Sequence, residues 1–101
     1  MELTSTVSDG NQTIALSGEL NTLTSPELSA AIGAQIDNIT ALVLDFTDCD
    51  YVSSAGIRVL LSTFKTLKQK KASMKLINVG ENFKDVLEST CLDSVFDIEW
   101  K

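Results

Sequence analysis

Residues 41–61, ALVLDFTDCDYVSSAGIRVLL, join two different hydrophobic patterns. The segment opens with four consecutive apolar residues, Ala41 to Leu44, as is typical of a strand buried within a parallel sheet. After a polar stretch, apolar residues return at helical spacing and continue past the segment, at Ile57, Leu60, Leu61, Phe64 and Leu67. The pattern predicts a buried strand followed by an amphipathic helix.

The residues upstream predict a hairpin, a loop and a first helix. Two β-rich segments, residues 3–7 and 13–16, flank a turn-forming cluster at residues 9–11. A loop over residues 18–23 follows, and a helix is expected from residue 24.

The first helix has a start signal in the sequence. Thr24 and Glu27 have the spacing of a capping box, and Pro26 is tolerated in a first turn. Apolar residues at helical spacing extend this helix to about Asn38.

The residues downstream predict a fourth strand over residues 74–79, ended by Gly80. A third, shorter helix is indicated by Phe83, Val86 and Leu87, and alternation in the tail indicates an edge strand at Phe96, Ile98 and Trp100. The expected order is ββαβαβα(β) in a single domain, residues 1–101. Such an order predicts an α/β fold with a mixed four- to five-stranded sheet and helices packed on it.

Composition argues against several functions. The chain has 8 basic and 14 acidic residues, a net charge of −6, so nucleic acid and anionic membranes are not expected partners. It has no histidine, which excludes Ser-His-Asp and Cys-His catalysis within the chain. Because glycine-rich phosphate loops and metal-ligand spacings are also absent, we expect no cofactor, no metal and no enzymatic activity.

The two cysteines, Cys49 and Cys91, do not form a CxxC motif. Free thiols together with the absence of a targeting segment favour a cytoplasmic location. Acidic neighbours disfavour a thiolate at Cys49, and Cys91 is expected to pack against the sheet.

Two loops follow the carboxyl ends of strands, where ligands and modifications occur in α/β sheets. They span residues 18–25 and 47–56 and lead into helix N-termini. In the second loop, Ser53 and Ser54 can be read as helix caps. Composition alone favours this reading. The functional alternative is a phosphoacceptor serine, because a helix N-terminus tolerates a phosphate. Three carboxylates of this loop region admit a metal or phospho-aspartate interpretation or a purely solvated one: Asp45, Asp48 and Asp50.

Two motifs resemble the signatures of STAS domains, the sulphate-transporter and anti-sigma-factor-antagonist domains. One is Leu42-Val43-Leu44-Asp45-Phe46 followed by residues 51–61, and the other is Gly18-Glu19-Leu20-Asn21 with Thr24. The expected element order matches the family over essentially the whole chain. As a single domain of 101 residues, the chain is most similar to the anti-sigma factor antagonists.

The resemblance implies a phosphorylation site. Alignment on Gly56 places the acceptor at Ser54, with Ser53 as the less favoured choice, since Ser53 stands where the family has Asp. Asn21 likewise replaces the Asp of the second motif. The residues expected to bind a partner are Asn21, Thr22, Thr24, Ser53, Ser54, Ala55, Gly56 and Arg58.

The resemblance also implies the partners. The unmodified protein would bind an anti-sigma factor that is also a serine kinase, phosphorylation at Ser54 would break the complex, and a serine phosphatase would restore it. The alternative is an accessory or scaffold subunit of a transporter or signalling complex, without phosphoregulation.

Overall fold

The computed structural model describes residues 1–101 as one five-stranded sheet with three α-helices. In chain order the elements are β1 (Glu2–Ser8), β2 (Asn11–Leu20), α1 (Ser25–Gly33), a 3₁₀ turn (Ile36–Asn38), β3 (Ala41–Val52), α2 (Ser54–Gln69), β4 (Ser73–Val79), α3 (Glu81–Ser89) and β5 (Asp97–Trp100). The sheet order is β1-β2-β3-β4-β5; β1 pairs antiparallel with β2, and the other neighbours are parallel. The predicted α/β class and element order are confirmed, and the tail is the fifth strand.

The helices cover one face of the sheet. Each crossover moves one strand further in the same direction, so right-handed connections place α1, α2 and α3 on the same side. Alternate strand residues are accordingly buried beneath them, as in Leu42, Leu44 and Phe46 of β3. The Phe46 ring lies 4.8 Å from that of Phe83, which anchors α3 on the sheet. No helix is long and apolar enough to span a bilayer.

β3 is longer than its apolar run predicts. It continues from Leu44 to Val52 because it stays paired with β2, where Leu20 is opposite Val52. Register shifts in β2 accommodate the pairing, and both Cys49 and Val52 are buried. The predicted loop over residues 47–56 is therefore mostly strand and helix, and only Ser53 separates β3 from α2.

The start and end of α1 differ from the prediction. The α-helix ends at Gly33, a poor helix former, rather than near Asn38, which lies in the separate 3₁₀ turn. The capping box is not formed. The Thr24 hydroxyl instead donates to the Glu19 carbonyl at 2.6 Å and accepts from the Asn21 N–H at 2.8 Å.

Both cysteines are free thiols, but they differ in exposure. Cys49 is buried, and desolvation raises the pKa of its thiol, so it is a poor nucleophile. The expectation that Cys91 packs against the sheet is wrong. Cys91 follows α3 with a φ of 60°, and this left-handed turn leaves its side chain in solvent.

Candidate functional site

The two loops that the sequence singles out meet at one edge of the sheet. The parallel strands β2 and β3 end side by side, and the Ser53 N–H donates to the Leu20 carbonyl at 2.8 Å. The loop after β2, residues 21–24, therefore lies beside the first turn of α2. This edge carries most of the residues expected to bind a partner.

The first turn of α2 has no negative charge of its own. Ser53 is the N-cap residue, and its carbonyl accepts from the Ile57 N–H at 3.0 Å. The backbone N–H groups of Ser54, Ala55 and Gly56 have no partner within the helix, as in any first turn. No acidic residue lies in this turn, and no side chain caps it. The result is an open positive end of the helix dipole.

The two adjacent serines are in different environments. Ser53 has the cap position, but its Oγ makes no capping hydrogen bond and is buried without any partner. Ser54, the first residue of α2, is exposed. Of the two hydroxyl groups, only that of Ser54 is on the surface of the molecule.

Gly56 permits a close approach between α2 and the sheet. A Cβ added there would lie 2.8 Å from Leu20 Cγ and 2.9 Å from Val52 Cγ1, both in the core. Such contacts are shorter than van der Waals packing allows, so the helix start would have to shift. Gly56 is thus buried support for the site, while Ala55 beside it is half-buried.

Hydrogen bonds hold the loop after β2 in a single turn. Asn21 Oδ1 accepts from the N–H groups of Leu23 and Thr24 at 3.0 and 3.1 Å. The Ser25 hydroxyl donates to the Asn21 carbonyl at 2.6 Å. The polar groups of Asn21 and Thr24 therefore form the turn itself, and Thr22 and Leu23 are exposed on it. Sequence reasoning missed Leu23, although an apolar residue inside a polar turn was a visible signal.

Asp45 is part of a small hydrogen-bonded cluster. Desolvation acts to raise the pKa of its carboxyl, but hydrogen bonds from Thr47 and Asn78 outweigh it and hold this pKa below its ordinary value. Thr47 Oγ1 donates to Asp45 Oδ1 at 2.6 Å, and Asn78 Nδ2 at 3.0 Å. This carboxylate connects β3 to β4 across the sheet.

Asp50, a residue of β3, lies beside the start of α3. Its Oδ2 accepts from Asn82 Nδ2 at 2.7 Å, and a Cβ added at Gly80 would lie 2.6 Å from its Oδ1. Asp48 is exposed and has no hydrogen-bonding partner on another side chain. No three potential metal-ligating side chains converge anywhere in the chain.

Arg58 is exposed one turn after Ser54, on the same side of α2. It is the only arginine of the chain, and it forms no ion pair, since the one salt bridge joins Lys75 to Glu99. Its guanidinium is therefore available to a partner.

The family of the chain follows from comparison with known proteins. The model of the STAS domain family matches residues 2–100, and the chain belongs to this family. BtrV of Bordetella bronchiseptica, by its name a candidate anti-sigma factor antagonist, is 33% identical over 99 residues, which are 97% of this chain and 85% of BtrV. The anti-sigma-B factor antagonist of Bacillus subtilis is 27% identical over 88 residues, 87% of this chain and 81% of that protein.

A solved structure agrees with these sequence relatives. The crystal structure of an anti-sigma factor antagonist from Mycobacterium paratuberculosis superposes with a TM-score of 0.86 at 28% identity. The match covers 97% of this chain and 84% of that one. The resemblance drawn from the two sequence motifs is thereby confirmed.

Proposed function

We propose that this protein is an anti-sigma factor antagonist that acts by partner switching. The unmodified protein binds an anti-sigma factor that is also a serine kinase, and phosphorylation at Ser54 releases it. A serine phosphatase returns the protein to its binding form. It acts in the cytoplasm as a binding protein rather than an enzyme. The names of its relatives support the antagonist role.

The observation that carries this proposal is the exposed Ser54 hydroxyl at an open helix N-terminus. A phosphate adds roughly −1.5 to −2 charges. The dipole and free N–H groups of α2 favour that charge, so the fold tolerates it. A partner surface without a counter-charge does not, because burying a dianion there costs several kcal/mol. A cost of about 4 kcal/mol weakens binding roughly a thousandfold.

Accessibility supports Ser54 over Ser53 as the acceptor. A kinase must reach the hydroxyl oxygen, and the Oγ of Ser53 is buried. Phosphorylation at Ser53 would require the start of α2 to open. Ser53 acts instead as the N-cap residue at the position where the family usually has Asp.

The test uses the cognate anti-sigma factor and ATP, with phosphate-affinity gels and mass spectrometry to locate the phosphate. Ser54→Ala is expected to bind the anti-sigma factor but not to be phosphorylated. Ser54→Asp is expected to bind weakly, because it carries a fixed negative charge at the same place. Ser94→Asp, an exposed serine outside the site, is the matched control and should bind like the wild type.

Equal affinities of the wild type and Ser54→Asp would contradict partner switching. Binding without any phosphorylation would favour the accessory or scaffold role. The absence of the family's Asp before the acceptor is the one feature of the chain that favours this alternative.

A further inference from the structure

The charge of the chain is unevenly distributed among its helices. The whole chain has a net charge of −6, yet α2 contains three basic residues and no acidic one. In contrast, α3 contains three acidic residues and one basic residue, and the only charged residue of α1 is acidic. α2 is therefore a positive element on a negative protein, and Ser54 is its first residue.

Two of the three basic residues of α2 are free to meet a partner. Lys68 lies over the ring of Phe64, 5.8 Å from its centroid. Arg58 and Lys65 are exposed and form no ion pair. At 100° per residue they lie within about 40° of Ser54 around the helix axis, so all three share one exposed face. A guanidinium is well suited to binding a carboxylate through two hydrogen bonds.

The turn beside the start of α2 carries the most exposed large apolar side chain of the molecule. Leu23 is 86% exposed, against 52% for the next, Tyr51. The turn that carries Leu23 is held by Asn21 and Thr24, so little ordering would be required on binding. Leu20, the residue before this turn, accepts a hydrogen bond from the Ser53 N–H through its carbonyl.

From these observations we infer that the anti-sigma factor docks on a surface made by Leu23, Ser54, Arg58 and Lys65. Its complementary surface has an apolar pocket for Leu23, with carboxylates opposite the two basic side chains. This inference rests on the proposed function and adds the chemistry of the partner to it. The apolar anchor supplies affinity, and the charge pairs supply orientation and rate of association.

The surface also gives phosphorylation a direct effect on binding. A phosphate on Ser54 repels the carboxylates of the partner. It also lies four residues before Arg58, the spacing and order at which an anion pairs favourably with a cation on a helix. Arg58 is thereby withdrawn from the partner and drawn to the phosphate.

The test measures binding of the unmodified protein to the purified cognate anti-sigma factor by calorimetry and by stopped-flow association. Leu23→Ala is expected to weaken binding about tenfold or more, because truncating an apolar hot-spot residue usually has an effect of this size. Arg58→Glu is expected to do the same, mainly by slowing association, and to reduce the salt dependence of the rate. Val7→Ala, an exposed apolar residue on β1, and Lys71→Gln, an exposed charge past the far end of α2, are the controls.

The controls should bind within about twofold of the wild type, since rim and remote substitutions change little. If the wild type binds while Leu23→Ala and Arg58→Glu bind equally well, the docking surface is wrong and the proposed function stands. Tighter binding of Arg58→Glu would likewise overturn the acidic partner surface. If the wild type neither binds the anti-sigma factor nor is phosphorylated by it, the proposed function fails and this surface with it.

Discussion

The first turns of α2 and α3 begin in almost the same way but differ in charge. Each helix follows an extended N-cap residue, Ser53 or Gly80, directly after a parallel strand. α3 has Glu81 in its first turn and the carboxylate of Asp50 beside it. α2 has no acidic residue in its first turn, and neither helix has a side-chain capping hydrogen bond. α3 therefore has one negative charge from its own first turn and one that the fold brings beside it, whereas the first turn of α2 supplies none.

This difference leaves the two helix starts unequal in electrostatic stabilisation. A carboxylate at a helix N-terminus is favourable, so its absence from α2 leaves a stabilising interaction unmade. Ser53 stands where the family usually has Asp, so a negative charge on Ser54 would supply the interaction that this helix start lacks.

The glycines of the two helix starts give the largest expected effect. At Gly56 an added Cβ meets two core side chains, so Gly56→Ala should lower the free energy of unfolding by about 1–3 kcal/mol. Gly33→Ala is the matched control, because nothing lies within 4 Å of its added Cβ. Gly33 is the last residue of α1, so Gly33→Ala should leave the free energy of unfolding unchanged or raise it by up to about 1 kcal/mol.

Urea unfolding followed by circular dichroism measures both variants. Gly80→Ala belongs in the same series. There the added Cβ would meet Asp50, an exposed side chain that can move away. Gly80→Ala should therefore lower the free energy of unfolding by less than Gly56→Ala does. Equal losses at the two positions would mean that α2 is not packed more tightly than α3 at its start.

The next largest change in the free energy of unfolding is expected at Asp50, whose carboxylate lies beside the start of α3. Asp50→Asn removes the negative charge near that helix N-terminus and should cost about 0.5–1 kcal/mol at low ionic strength. Asp48→Asn, at an exposed acid near it in β3, should cost less. The difference between the two should shrink in high salt, because salt screens the interaction of a charge with the dipole. A difference that persists at 1 M salt would point to the Asn82 hydrogen bond instead.

Adding a negative charge to the first turn of α2 should raise the free energy of unfolding. Ser54→Asp is expected to raise the free energy of unfolding by about 0.3–1 kcal/mol, because it supplies the acid missing from the first turn. Ser62→Asp, an exposed position in the middle of α2, should give no such gain. Thermal unfolding at low salt measures both. A loss at Ser54→Asp would mean that the open helix end does not favour an anion, and would weaken the phosphorylation proposal.

Local patterns in the sequence were sufficient for the element order. The apolar run from Ala41 and the spacing from Ile57 to Leu67 correspond to β3 and α2. Of the two serines interpreted as caps, Ser53 is the N-cap residue of α2, but its side chain makes no capping hydrogen bond. These features depend on residues close together in the chain, where periodicity and capping preferences act.

What the sequence did not reveal depends on contacts between distant residues. β3 extends to Val52 only because Leu20 pairs with it, and Asp50 lies at α3 because that helix starts beside the end of β3. The hydrogen bonds by which the polar groups of Asn21 and Thr24 hold their own turn are not predicted by the sequence pattern. The exposure of Leu23 follows from that turn and has no counterpart in any periodic pattern.

The buried hydroxyl of Ser53 gives the smallest expected effect. Replacing an N-cap serine by alanine usually costs about 1 kcal/mol, because a hydrogen bond to the helix backbone is lost. Ser53 Oγ makes no such bond and is buried without a partner. Ser53→Ala should therefore change the free energy of unfolding by less than about 0.5 kcal/mol, since it removes an unsatisfied polar group.

Thr24→Ala is the contrasting variant at the N-cap of α1. Its hydroxyl bonds to both Glu19 and Asn21, so its loss should be clearly larger, about 1–2 kcal/mol. Urea unfolding of the two variants side by side compares them under the same conditions. If Ser53→Ala lowered the free energy of unfolding as much as Thr24→Ala, the Ser53 side chain would have to cap the helix. The start of α2 would then have a capping side chain, which the start of α3 lacks, and it would not be an open helix end.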